Sequence, residues 1–160
     1  MHLRVPLHRI SLVRERTIDY PVGEQIRHSA HIAHIAAALL HDADREHFLV
    51  AALSNTSRII GVTDAFVGGL TGCVVHVREV LTYILLARAK AFIVVHNHPS
   101  GDTIPSQADV QVTARLYEAG KLLDVTLLDH VIIGWSGPEI WEYYSLADHG
   151  LLEPEEHTHV

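Results

Sequence analysis

Ile26, Ala30, Ala33, Ala37 and Leu40 recur at intervals of three and four, the repeat of one helix face, and predict a helix over residues 22–40. Asp42-Ala43-Asp44 breaks that pattern. Residues 48–53 and 58–67 are then apolar, β-compatible runs on either side of Ser54-Asn55-Thr56-Ser57, which predicts a hairpin. A loop with Gly68, Gly69 and Gly72 leads into residues 78–88, where Val80, Ile84 and Ala87 fit a second helix. Residues 91–95 are continuously apolar, as in a strand buried on both faces. Residues 106–119 read as a helix stopped by Gly120 at the C′ position, residues 125–133 as a further strand, and residues 141–144 as a short last one. Alternating strands and helices predict an α/β domain around a central sheet. At the ends, residues 4–20 alternate loosely and predict an extended arm or edge strand. The expected organisation is an arm over 1–21, one domain over 22–150, and a disordered tail over 151–160, which lacks apolar periodicity.

Composition narrows the classes. A chain of 160 residues, 48% hydrophobic, has the material for one ordinary core. Twelve Lys and Arg against 19 Asp and Glu give a net charge of −7, which disfavours direct DNA binding, because attraction to phosphates draws on clustered cations. The single cysteine, Cys73, excludes an intrachain disulfide and a multi-thiolate zinc site; in its Gly-rich setting it reads as a packing residue. Apolar runs fall short of the roughly 18–20 residues that span a bilayer, so no membrane role and a cytoplasmic location are expected. A homo-oligomer is compatible with the sequence.

The chemistry concentrates in residues 96–109, His-Asn-His-Pro-Ser-Gly-Asp-Thr-Ile-Pro-Ser-Gln-Ala-Asp. His96 and His98, two apart at the exit of a strand, can aim two imidazoles at one point. Asp109 lies in the first turn of the next helix, and the Pro- and Gly-containing loop can fold that turn back over the strand end. Two imidazoles and a carboxylate suit Zn²⁺ and leave a fourth tetrahedral position for water. Ser106 and Asp109 also satisfy a helix capping box by themselves, and a His-x-His pair is often polar filler beside a loop. Three adjacent letters His-Asn-His are weak grounds for an HNH nuclease, whose residues are dispersed over a longer unit.

The string H-x-H-x₇-S-x₂-D, at His96, His98, Ser106 and Asp109, resembles the JAMM (MPN+) metalloprotease signature. Its neighbours His-Asn-His-Pro-Ser-Gly, Arg78-Glu79-Val80 and Leu127-Leu128-Asp129-His130-Val131-Ile132-Ile133-Gly134 resemble the RadC branch of that superfamily, over roughly residues 42–146. The resemblance implies a JAB/MPN domain, an α/β fold related to the cytidine-deaminase-like sandwich, with a central mixed sheet flanked by helices. It implies His96, His98 and Asp109 as zinc ligands and Ser106 as hydrogen-bond donor to the oxyanion. Glu46 matches the position of the upstream glutamate that exchanges protons with the metal-bound water and the leaving amine. A solvated acid at a strand entrance is the plain reading of Glu46, and Glu79 is a competing glutamate whose helical setting favours a structural role. Asp129 and His130 read as a buried, mutually satisfied pair, with orientation of a metal-bound imidazole as the alternative. Two departures stand out. Val77 replaces the usual Pro at the helix start, and the stretch before Asp42 is too short for the family's N-terminal helical, helix-hairpin-helix-like region. The leading expectation is a zinc hydrolase of the metallopeptidase or isopeptidase type acting on a peptide or protein conjugate. The alternative is a DNA-repair or mobile-element accessory with little or no peptidase activity; a purely structural zinc fits least, for want of a fourth ligand and thiolates.

Overall fold

Side chains alternate between the two faces of a sheet, and helices with an apolar stripe cover those faces. The computed structural model describes residues 9, 11–17, 19, 25–68, 75–137 and 139–153. Its elements are α1 (Ser29–Leu40), β1 (His47–Leu53), β2 (Ile59–Val67), α2 (Val77–Leu86), β3 (Ala91–His98), α3 (Gln107–Leu122), β4 (Thr126–Trp135) and β5 (Trp141–Ser145). The fold is α/β, with five strands in the order β2-β1-β3-β4-β5. β3 and β4 run parallel, with α3 as the crossover between them, and the other neighbours are antiparallel, so the sheet is mixed.

α1 covers one face. Its Ile32, Ile35 and Leu40 pack with Leu49 and Ala51 of β1, Ile93 and Val95 of β3, and Val131 and Ile133 of β4. Three alanines, Ala33, Ala36 and Ala37, are buried in the same helix. α2 and α3 cover the other face, where Val80, Ile84 and Leu116 meet Phe48, Val50, Phe92, Val94 and Leu127. Each large apolar side chain so buried stabilises the fold by about 1.5–3 kcal/mol.

One irregularity redirects β4. The β3–β4 register slips between Phe92↔Leu127 and Ile93↔Asp129, so Leu128 is an extra residue with no partner. After this bulge His130 lies beside Val94, whose side chain belongs to the α2/α3 face, and Val131 lies beside Val95 on the α1 face.

Several boundaries differ from the sequence expectation. The first helix starts at Ser29, and of its expected earlier part only residues 25–28 are described; there Ile26 N–H donates to the Ser57 carbonyl (2.8 Å), tying the segment to the hairpin turn instead of a helix. Gly120 does not stop α3, which continues to Leu122. The residue with the left-handed backbone is Asp124 (φ 55). Gly120 is needed inside the helix, where a Cβ would lie 2.6 Å from the Val125 carbonyl oxygen and 3.3 Å from the Phe92 ring. No strand occurs among residues 9, 11–17 and 19 of the expected arm. Residues 151–153, assigned above to a tail, make contacts with the domain: Leu151 N–H donates to the Leu146 carbonyl (2.8 Å), Leu152 is partly buried against the α2/α3 core, and Tyr117 Oη donates to Glu153 Oε1 (3.0 Å). Cys73, the Gly69–Gly72 loop and residues 154–160 lie outside the described residues.

Candidate metal centre

β3 carries the α2/α3 face onward from Val94 into His96 and His98. The polar residues of His-Asn-His extend the strand three residues beyond its apolar run, because each finds a partner. Asn97, turned to the other side, accepts from the His47 N–H (2.8 Å) and donates to the Arg45 carbonyl (2.9 Å). These two bonds fasten the entrance of β1 to the exit of β3.

A short loop then turns back. Gly101 adopts φ 84, and its N–H donates to the His98 carbonyl (3.0 Å). The loop lies directly on β4: a Cβ at Gly134 would meet the Gly101 carbonyl oxygen at 2.2 Å, and one at Gly101 would meet the Trp135 carbonyl oxygen at 2.6 Å. So pressed down, the loop presents the Asp102 carbonyl 2.6 Å from His98 Nδ1. A carbonyl only accepts, so Nδ1 carries the hydrogen and Nε2 of the neutral ring keeps its lone pair.

Ser106 begins α3 with a complete capping box. Its hydroxyl accepts from Asp109 N–H (3.2 Å), while its N–H and hydroxyl both donate to Asp109 Oδ2 (2.7 and 2.6 Å). The capping and functional readings of this pair therefore coexist, since the cap is what holds the carboxylate over the strand end. His96 Nε2 and His98 Nε2 are 2.9 Å apart, and Asp109 Oδ1 and Oδ2 lie 3.2 and 3.5 Å from them respectively. A tetrahedral ion with bonds of about 2.0–2.2 Å needs donors about 3.3–3.6 Å apart; the two Asp109 distances lie close to this, and the His96–His98 distance is a few tenths of an ångström shorter. The three residues form a group that could hold a metal ion, and among the described residues no other three His, Cys, Asp or Glu side chains converge in this way.

The groups at this strand end also shift one another's proton affinity. The hydrogen bond to Asp109 raises His98 above the ordinary imidazole value against the opposing effect of burial, with the Asp102 carbonyl and the charges of Asp109 and Glu46 adding to it. Burial alone would push the Asp109 carboxyl up, but the adjoining His96 and His98 rings and the Ser106 hydroxyl hold it well below the usual carboxylate range.

Glu46 precedes β1 and is half-buried. The β1–β3 pairing ends at Phe48↔His96, two residues short of Glu46 and His98, and the Glu46 charge is one of the influences that raise His98. Glu79 sits in the first turn of α2 and accepts from the Arg78 guanidinium (3.1 Å) at the surface.

Asp129 and His130 do not satisfy one another through their side chains. Asp129 accepts from Ser145 Oγ (2.7 Å) and from the N–H groups of Ala147 (3.0 Å) and His130 (2.7 Å), which offset the upward push of burial on its carboxyl. The His130 ring goes the other way, where Nε2 lies 2.8 Å from His96 Nδ1 and Nδ1 lies 2.6 Å from Thr113 Oγ1. Burial, and then the charge of His96, press His130 well below the ordinary imidazole value. Sequence reasoning passed over Asn97, Asp102 and Thr113. For Thr113 a signal existed, because it lies four residues after Asp109 on the same helix face.

The family model of the RadC-like JAB domain matches residues 26–151. A UPF0758 protein of Desulfitobacterium hafniense is 40% identical over 121 residues, covering 76% of this chain and 51% of that protein. One from Syntrophomonas wolfei is 44% identical over 121 residues, covering 76% and 49%. The chain thus spans about half the length of these curated relatives. Among solved structures, a JAB1/MPN domain protein from Archaeoglobus fulgidus aligns over 77% of this chain and 90% of that one, with 16% identity and a TM-score of 0.38. On the match across most of its length, this chain belongs to the RadC-like JAB domain family.

Proposed function

We propose that this domain is a zinc-dependent hydrolase of amide bonds, of the JAMM metallopeptidase or isopeptidase type, acting on a peptide or protein conjugate. The observation that carries the reading is the convergence of His96 Nε2, His98 Nε2 and an Asp109 oxygen within 4.8 Å, three acceptor atoms with a fourth tetrahedral position to spare. Held by His96, His98 and Asp109, Zn²⁺ would supply the Lewis acidity that makes water a nucleophile near neutral pH and polarises a carbonyl. The chain's own groups supply the rest. Glu46, just before β1 and near enough for its charge to act on His98, is the carboxylate that takes a proton from the attacking water and gives it to the leaving amine. Ser106 donates to the oxyanion; because its backbone N–H also holds Asp109 Oδ2, the hydroxyl is able to turn away without releasing the carboxylate.

The test is cleavage of a mixed library of peptides and lysine-linked conjugates by the zinc-loaded chain. Wild type is expected to cleave, and Glu46→Gln to retain zinc while losing about 10²–10⁴-fold in rate. Cleavage by Glu46→Gln at the wild-type rate contradicts the assignment of the base. A zinc-loaded wild type that cleaves nothing favours the DNA-associated accessory role.

A further inference from the structure

His96 is the ligand with no contact to the loop. Its ring is fully buried, and its Nδ1 meets no carbonyl, only His130 Nε2 at 2.8 Å. Which nitrogen of His96 carries the hydrogen is therefore decided by His130, and the hydrogen bonds beyond His130 decide that in turn. Thr113 has a single hydroxyl hydrogen, and it goes to the Asp109 main-chain carbonyl (2.6 Å). The 2.6 Å contact between Thr113 Oγ1 and His130 Nδ1 then has one reading: Nδ1–H donates to the hydroxyl. A ring buried with no acid against it is neutral, so His130 Nε2 is bare and must accept from His96 Nδ1–H. His96 Nε2 is left with its lone pair, aimed at His98 and Asp109.

We infer that Thr113 and His130 are positioning residues for the metal: a hydrogen-bond relay from the Asp109 carbonyl through Thr113 and His130 holds His96 in the one tautomer that can ligate through Nε2. The inference rests on the metal site proposed above and extends it to two residues outside the ligand set. The relay joins all three elements around the site, since Asp109 and Thr113 belong to α3, His130 to β4 and His96 to β3. It also gives the Leu128 bulge a purpose, because only after that extra residue does His130 share a face with His96. Replacing Thr113 by valine keeps the shape and removes the acceptor. His130 then gains by moving its hydrogen to Nε2, where it donates to His96 Nδ1 and drives the His96 hydrogen onto Nε2, blocking the ligand atom.

The experiment compares wild type, Thr113→Val and Thr113→Ser in the full chain by zinc competition against a chromophoric chelator. Histidine ¹⁵N spectra of the metal-free proteins at about pH 8.5, above the usual imidazole range, read the tautomers directly. Thr113→Val is expected to weaken zinc binding by about 10–100-fold and to convert His96 from Nδ1–H to Nε2–H, and Thr113→Ser to restore both. If the valine variant fails to fold, Thr113→Ala gives the same comparison. Equal zinc affinity in all three proteins, or a His96 tautomer unchanged in Thr113→Val, overturns the relay and leaves the metal site standing. A wild type that takes up no zinc overturns the metal reading and this inference together.

Discussion

β3 and β4 present two faces made from alternate residues of the same strands, and the faces end in opposite chemistries. Towards α1, Ile93, Val95, Val131 and Ile133 pack on Ile32, Ile35 and Leu40 in an apolar core. Towards α3, Val94 gives way to His96 and His98, with His130 beside them. The apolar face is held by non-directional burial and depends on volume. On the polar side each buried nitrogen or oxygen needs a partner in a fixed donor or acceptor role, and among the described residues no buried side-chain polar atom lacks one. Stability should therefore reside mainly in the first face and metal affinity in the second, and substitutions can separate the two.

The largest effect is expected from Ile93→Ala, which removes a nearly inaccessible side chain from the α1 core. It should lower unfolding free energy by about 2–5 kcal/mol in denaturant titration, while the folded protein binds zinc as wild type does. A tenfold loss of zinc affinity there would break the division between the faces. Gly134→Ala tests a point where the two properties meet, since its Cβ would strike the Gly101 carbonyl oxygen at 2.2 Å. Overpacking of this kind costs about 1–3 kcal/mol, and the displaced loop should loosen the Asp102–His98 contact and weaken zinc binding as well.

Acidification probes the polar face without changing its shape. His130 is held neutral in the fold, below its ordinary value of 6.5, so the stability it contributes is present above pH 6.5 and is lost as pH falls, because the unfolded chain takes up the proton first. His98 acts in the opposite sense: its value is raised, so its contribution is present below 6.5 and is lost as pH rises through the raised value. Comparing metal-free wild type with His130→Leu cancels the His98 contribution to first order. The wild type should lose stability relative to the variant by at most about 1.4 kcal/mol per pH unit below 6.5, read from denaturant midpoints; parallel profiles would contradict the neutral ring. The smallest effect belongs to Glu79→Gln, a surface residue paired with Arg78, where a change within about 0.5 kcal/mol and unaltered zinc affinity are expected.

What the sequence made legible follows the same division. Apolar runs reveal β1, β2 and the apolar part of β3, and the 3.6-residue period reveals α2, because burial on those elements is read one residue at a time. His96, His98 and Asp109 can be picked out as candidate ligands because one strand–loop–helix segment carries all three. The end of β3 is hidden, since His96 and Asn97 are polar letters buried by virtue of distant partners. Gly120 looks like a helix stop because the close approach of Val125 and Phe92 that requires it is a tertiary contact. Most hidden of all is His130, whose place depends on a one-residue slip at Leu128 that no periodicity announces. Asp129 and His130 look like one pair in the chain and serve opposite sides of the sheet in the fold.

The central claim is that the polar end of β3 holds a divalent metal, and metal content tests it most directly. Protein purified without a metal-affinity step should carry close to one zinc per chain by mass spectrometry, and His98→Ala and Asp109→Ala should each lose it while remaining folded. A metal-free wild type that takes up no added zinc, or variants that keep their zinc, would contradict the account.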